Sequence, residues 1–417
     1  VSAAQRAVDA VWRIESARII AGLARVVRDV GLAEELAQDA VVAALEQWPE
    51  SGVPDNPGAW LMLIAKRRAV DYLRRQETLT RKVAELGRGL EDHTESFEAE
   101  VDAALDDDIG DNLLSLVFTA CHPVLSPEAR VALTLRLLGG LTTDEIARAY
   151  LVPETTVAQR ITRAKKTLAQ KQIPFEAPRG AELSERLPSV LEVVYAIFNE
   201  GYAATTGKNW VRPTLCEEAL RLGRILAELV SGEPEVHGLV SLMEIQASRL
   251  RARVGRDGRP VLLLDQNRTL WDRILIRRGL IALDRAFAIG EPVGPYTLQA
   301  SIAACHARAA TAEDTDWAQM VRLYELLGEL TPSPVVELNR AVAVGMASGP
   351  EAALKLVDAL ADEPALSAYH LLPSVRGDLL AKLGRTAEAR AEFERAATLT
   401  RNESERILLL ERAHSLP

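Results

Sequence analysis

The sequence predicts an all-α protein assembled from several helical domains in series, on three observations. Apolar residues recur at helical spacing in almost every periodic segment, among them residues 16–29, 112–122, 128–140 and 273–290. Runs of alternating Val and Ile that would read as strands are absent. The chain is long enough, at 417 residues with 48% hydrophobic content, to bury a sizeable core divided over two or three domains.

Charge marks the domains in order. Residues 60–82 hold seven Lys/Arg against two Asp/Glu and close a helical domain expected over residues 1–80. Within the acidic linker expected at 81–111, residues 83–111 hold eleven Asp/Glu against one Arg, so this stretch carries as much net charge as the whole chain, −10. Residues 112–172 hold eight Lys/Arg against four Asp/Glu and make up a second domain, 112–173. Net acidity therefore does not exclude a nucleic-acid partner, because the local asymmetry of charge decides that. Pro174-Phe175-Glu176-Ala177-Pro178-Arg179-Gly180 punctuates the end of this domain and opens a long helical region over 180–417.

Residues 141–166, LTTDEIARAYLVPETTVAQRITRAKK, read as a helix, a three-residue turn and a second helix ending in a basic run. Leu141, Ile146 and Ala149 repeat at helical spacing. Leu151-Val152-Pro153 breaks the pattern, since proline cannot donate to a helix ladder and disfavours helix before it. Glu154-Thr155-Thr156 restarts it, with Val157 and Ile161 facing inward. Ala158, Gln159, Thr162, Arg163, Lys165 and Lys166 are left facing outward. A polar, basic face over a small apolar pair suits a helix that enters a DNA major groove. The plainer reading is an amphipathic hairpin within a helical protein.

Several classes of function are disfavoured. Cys121, Cys216 and Cys305 are scattered without CxxC spacing, as expected of reduced thiols rather than a disulfide framework. Two of them precede histidines, Cys121-His122 and Cys305-His306, but a zinc site needs more ligands at regular spacing, so these read as buried residues and no metal is expected. No stretch approaches the ~20 apolar residues of a membrane span and no charged segment with an apolar run opens the chain, so a cytoplasmic protein without a membrane partner is expected. A phosphate-binding glycine loop, an HExxH helix and a GxSxG elbow are all missing, and neither an enzyme nor a cofactor is predicted.

Residues 33–76 carry a more specific resemblance. Ala33-Glu34-Glu35-Leu36-Ala37-Gln38-Asp39 is followed by Trp60-Leu61, Ile64-Ala65-Lys66-Arg67, Asp71 and Arg74-Arg75. This resembles the promoter-melting domain of sigma-70 family initiation factors of the extracytoplasmic-function class, with its A-E-D-L-x-Q-E helix and W-L-x-x-I-A-R-N-x-x-x-D-x-x-R-R pattern. The helix-turn-helix at 141–166 resembles the second conserved sigma domain, and the two occur in the family's order.

The resemblance implies three working surfaces. Glu35, Gln38, Asp39 and Val42 would grip core RNA polymerase, acidic and amide groups meeting a basic partner. Trp60, Lys66, Arg67, Arg68, Tyr72, Arg74 and Arg75 would open and read the −10 promoter element by stacking and phosphate contact. Trp60 could equally anchor the core, and Asp71 is expected to brace the domain by pairing with an arginine. The loop at 49–58 precedes this helix, and in the family a nearby loop captures a flipped base. Ala158, Gln159, Thr162 and Arg163 would face base edges of the −35 element, Gln159 suiting adenine and Arg163 guanine. Thr155, Thr156, Arg160, Lys165 and Lys166 would hold phosphates. Arg67 stands where the family has Asn, and Ala158 where it has a basic residue, so altered preferences at both elements are expected. The acidic linker resembles the segment that threads toward the polymerase's nucleic-acid channels; a solvated tether is the plainer reading.

The C-terminal region is expected to be a helical array. Residues 374–397 resemble one tetratricopeptide unit, with Gly377 and Leu380 in the first helix, Gly384 ending it, and Ala389, Phe393 and Ala396 in the second. A weaker pair lies at 334–347 and 350–361. Segments such as Trp271-Asp272-Arg273 and Glu313-Asp314-Thr315-Asp316-Trp317 resemble hallmarks of a sigma subgroup with a tetratricopeptide-like extension. A promoter-directing initiation factor is therefore expected, its partners core RNA polymerase and promoter DNA. Its C-terminal domain would regulate it through a protein partner or an intramolecular contact. The alternative is a helix-turn-helix regulator with a helical sensory domain, which would leave residues 33–76 unexplained.

Overall fold

The computed structural model describes residues 3–84, 109–256, 258–290 and 293–416. Among these residues there is no strand, only isolated bridges from Gly207 to Asn402 and from Val254 to Pro260, and the all-α expectation holds. Residues 85–108, which make up most of the acidic linker, lie outside the described residues. No helix among those described is long and apolar enough to cross a membrane. The chain forms two compact units, Val1–Val194 and Tyr195–Pro417.

The first unit opens with α1 (Ala3–Val27), α2 (Val30–Ser51) and α3 (Pro57–Ala84). Their core is rich in alanine: Ala33, Ala37, Ala40 and Ala44 of α2 are buried, as are Ile20 and Leu23 of α1 and Leu61 and Ala65 of α3, and the three helices pack on one another. Small side chains let the three backbones approach closely, and Trp48 fills the end of the bundle. Arg28, at φ 54°, turns the chain between α1 and α2, and the Asp29 carboxylate caps α2 by accepting from the Leu32 amide at 2.9 Å. Helix α2 continues through Pro49 to Ser51 and stops at Gly52, φ 82°, whose amide donates to the Trp48 carbonyl. The expected loop at 49–58 thus narrows to residues 52–56. Asn56 accepts from the Ala59 amide at 3.1 Å and starts α3.

Four helices follow: α4 (Ile109–Ala120), α5 (Pro127–Leu137), α6 (Thr143–Tyr150) and α7 (Glu154–Gln170). Ser126 caps α5. Thr142 and Glu145 form a reciprocal capping box on α6. Helix α8 (Ala181–Tyr202) begins in this unit. Its Ser189 hydroxyl donates to the Cys121 carbonyl at 2.7 Å, and Arg186 donates to the Phe118 carbonyl at 3.1 Å while lying over the Phe118 ring. Arg130 on α5 reaches back to Ser189 and Glu192. The compact unit therefore runs past residues 174–180, where the sequence places a boundary. Cys121 is sealed inside it, its thiol beside the Thr134 hydroxyl and pushed up to about 11 by burial.

The second unit is a succession of helices: α9 (Pro213–Leu229), α10 (Pro234–Ala247), α11 (Arg273–Ile289), α12 (Pro295–Arg308), α13 (Trp317–Leu330), α14 (Pro334–Ser348), α15 (Pro350–Ala359), α16 (Leu371–Lys382), α17 (Thr386–Leu399) and α18 (Glu403–His414). Between α16 and α17, Gly384 takes a positive φ of 75°. Gly377 lies so close to Phe393 that a Cβ there would stand 3.0 Å from the ring, which is why the aromatic fits only opposite a glycine. The unit also closes on itself. The Asn402 amide donates to the carbonyls of Ala204 and Asn209, residues nearly 200 positions earlier.

A cavity of about 780 Å³ opens among α12, α13, α14, α16 and α18 and the 260–265 segment, lined by Leu263, His306, Met320, Tyr324 and Leu379 among others. His306 is buried edge-on to Trp317. Burial, with Arg249 and Arg268 adding to it, pushes its pKa down to about 3. Above the ordinary histidine value of 6.5 the ring is neutral in both folded and unfolded chains and contributes no pH dependence. As pH falls below that value the unfolded chain takes up a proton that the folded chain refuses, so stability is lost from about pH 6.5 downward until about pH 3. Denaturant titrations should therefore show a loss of about 2 kcal/mol between pH 6.5 and pH 5, and His306→Gln should remove most of that slope.

Candidate nucleic-acid interface

Helix α7 is held by its apolar face. Val157, Ile161, Ala164 and Leu168 are buried at i, i+4, i+7 and i+11. The turn before it is Leu151-Val152-Pro153, as expected. Leu151 adopts a left-handed conformation, φ 51°, and its amide donates to the Ala147 carbonyl. Of the inward residues expected on α6, Ile146 is buried, with Ala147 beside it, whereas Ala149 is only half-buried. The opposite face of α7 is open. Thr155, Ala158, Gln159, Thr162, Arg163 and Lys166 are exposed, and Thr156 and Arg160 are half-buried. Arg160 lies near Glu128, whose carboxyl is held below its usual range chiefly by its own backbone and the Ser126 hydroxyl, and in smaller part by Arg160.

Helix α3 presents a second face. Arg67, Arg68, Asp71 and Arg75 are exposed, and Trp60, Lys66, Tyr72 and Arg74 are half-buried. Trp60, Arg67, Asp71 and Arg75 fall on one side of the helix at steps that bring side chains together. Trp60 lies edge-on to buried Trp48, with ring centroids 5.5 Å apart, so one edge is anchored while part of the ring is open. The Tyr72 hydroxyl accepts from Gln76 at 3.0 Å. The expected brace from Asp71 is not formed among the described residues; its carboxylate points to solvent, where an ion pair gains little.

On α2, Glu35, Asp39 and Val42 are exposed along a single stripe, with Val42 52% exposed. Gln38 is turned from that stripe and donates to Glu34 at 2.5 Å. Glu34 itself, unassigned on sequence grounds, is the least expected residue of the site. It is 2% exposed and forms ion pairs with Arg136 of α5 at 2.6 Å and with Lys165 of α7 at 2.5 Å. Lys165, expected on a phosphate, is thus engaged within the protein. Arg13 of α1 also pairs with Glu145 of α6. No metal-binding group of three or more His, Cys, Asp or Glu occurs among the described residues.

A braced helix-turn-helix with a polar, cationic reading face, beside a second helical domain carrying a row of arginines, defines a DNA-binding protein of the promoter-reading kind. Sigma-70 region 2 matches residues 14–78 and sigma-70 region 4 matches residues 115–168, over these two domains and in that order. The two N-terminal domains are thus those of sigma-70 transcription initiation factors. A family of unknown function matches residues 186–287. An uncharacterized protein of Rhizobium meliloti (strain 1021) is 44% identical over 384 residues, 92% of this chain and 89% of that one. The ECF RNA polymerase sigma factor SigK of Mycobacterium ulcerans (strain Agy99) is 29% identical over 155 residues, 36% of this chain and 78% of its own. SigK of Mycobacterium tuberculosis (strain ATCC 25618 / H37Rv) is 28% identical over the same length. No solved structure matches the chain.

The exposed residues of α7 divide by what they would touch. Arg163→Ala should weaken promoter binding by about 1–3 kcal/mol and relax preference at one base pair. Lys166→Ala should weaken all sequences alike and lower the salt slope by about one. Binding isotherms over a set of single-base promoter variants at several salt concentrations check both.

Proposed function

We propose that this chain directs core RNA polymerase to promoters through separate surfaces of its two N-terminal domains. The stripe Glu35, Asp39 and Val42, with Gln38 at its edge, docks on the polymerase. Helix α3 melts and reads the −10 element, and α7 reads the −35 element. The observation that carries this reading is the exposed face of α7, where Gln159, Thr162 and Arg163 stand free over a buried apolar seam. Arg67 and Ala158 are the positions at which its promoter would depart from the usual sigma preferences. RNA synthesis is the polymerase's chemistry, and this chain supplies promoter choice and strand opening.

The second unit, read as the tetratricopeptide-like extension of an extracytoplasmic-function subgroup, regulates the factor in cis by contacting a protein partner or another part of the chain. The paired helices around Gly377 and Phe393 support that reading. SigK, named as an ECF sigma factor, is covered by this chain over 155 residues, so the second unit is an addition to what that relative carries.

Run-off transcription from genomic DNA with purified core polymerase tests the proposal. Discrete new start sites that share two upstream elements are expected when the protein is added. Duplex binding without any new start would instead mark a helix-turn-helix regulator that needs no polymerase. Truncation after Val194, which keeps the Arg186 and Ser189 braces, should change the level of transcription from those starts. An unchanged level would remove the regulatory role of the second unit.

A further inference from the structure

We propose that the cavity of the second unit binds a small organic anion, its charged group drawn to His306 by Arg249 and Arg268 and its apolar body lying against Trp317, Met320 and Leu379. The inference goes beyond the promoter reading and does not depend on it. It starts from positive charge that the fold leaves unanswered. Arg249, just after α10, is 8% exposed, and its Nε is buried without a hydrogen-bond partner. The guanidinium lies over the rings of Tyr202 and Trp271, at 5.7 and 5.8 Å, and pairs with no carboxylate among the described residues. Two further arginines flank it. Arg253 stacks on Tyr202 at 3.8 Å and donates to the Tyr202 carbonyl at 3.0 Å. Arg268 lies over Trp271 at 4.7 Å and donates to the carbonyls of His306 and Ala309 at 2.7 and 2.8 Å. These acceptors are neutral, so they satisfy hydrogens and leave the charges in place. Burial pulls both Arg253 and Arg268 below the ordinary arginine value, and Arg249 pulls them further. The acids that act on Arg268, Glu313 and Asp314, are exposed.

His306 joins this cluster to the cavity. It lines the cavity, is 6% exposed, and its buried Nδ1 has no partner. Burial lowers its pKa, and Arg249 and Arg268 lower it further, so the ring is neutral and can offer an anion one N–H. Ordered water could satisfy such an atom but would not balance the charge of the arginines, whereas an anion does both. The room beside His306 decides what kind of anion. At about 780 Å³ the cavity is far larger than an inorganic ion needs, and Trp317, Met320, Val375 and Leu379 give it an apolar wall. Met320 can adapt to more than one shape of guest. The carboxylates that also line the cavity do not cancel the cluster. Asp378 is held by Lys382 at 2.9 Å and by Arg412 at 2.5 Å, and Asp265 is exposed, where salt screens it. A carboxylate, sulfonate or phosphate on an apolar body meets both halves of the site.

Two dyes that differ by one charge test this on the full-length protein. Anilinonaphthalene sulfonate is an anion with an apolar body, and phenylnaphthylamine is the same body without the sulfonate; both brighten when buried. The sulfonate should bind at one site per chain, about tenfold more tightly than the neutral dye. Arg249→Gln and His306→Phe should each bring the two dyes within about threefold of one another by weakening the sulfonate alone. Met346→Trp, which fills part of the cavity, should weaken both. Without any dye, Arg249→Gln should raise the denaturant midpoint, because it removes a buried charge that nothing balances. An Arg249 that merely braced Tyr202 and Trp271 would lower the midpoint when replaced. If Arg249→Gln does not fold, His306→Phe carries the dye comparison. Equal binding of the two dyes by the wild-type protein, a sulfonate preference that survives the substitutions, or a folded Arg249→Gln protein less stable than wild type overturns the site. Inorganic phosphate that displaces the sulfonate dye as readily as naphthoate does overturns the apolar half of the assignment and leaves a plain anion site.

Discussion

A helix that reads DNA must give up one whole face to its own protein, and that constraint organises the first unit. Helix α7 can expose Ala158, Gln159, Thr162 and Arg163 only because Val157, Ile161, Ala164 and Leu168 are covered from beneath by α5 and α6. Those supports are short, 11 and 8 residues, and short helices hold position only through tertiary contacts. The capping box at Thr142 and Glu145 fixes the start of α6. Arg130 anchors α5 to Ser189 and Glu192 of α8, and Arg186 ties α8 to the carbonyl of Phe118. The aim of this exposed face thus depends on a helix separated from α7 by the ten residues 171–180.

The parts of this design that were legible in the sequence are the parts that local chemistry decides. Pro153 and the apolar spacing of Val157 and Ile161 place the turn and the inner face of α7 without reference to anything distant. The Thr142-to-Glu145 spacing announces the capping box in the same way. Other features are settled by contacts far along the chain. Glu34 and Glu35 are identical in type and adjacent, yet one is buried and the other exposed, because successive helix positions differ by about 100° and only one meets Arg136 and Lys165. The Pro174–Gly180 punctuation is a true loop, but the unit continues beyond it through Arg186 and Ser189. Pro49 suggested a helix end, and α2 runs on to Ser51 because a proline in the last turn forfeits a single ladder bond while Trp48 stays packed in the bundle. In the second unit, Phe393 stood out in sequence, whereas the closure through Asn402 joins segments that no periodicity connects.

Net charge is a poor guide to this molecule. The chain carries −10, yet the faces that would meet DNA are local runs in which arginine and lysine outnumber acids. Electrostatic reach in physiological salt is only about 8 Å, so each face is felt by a partner largely through its own residues. The same short reach makes a buried carboxylate such as Glu34 effective. At the surface its pairing with Lys165 would be worth little, but buried as it is it is shielded from water and salt.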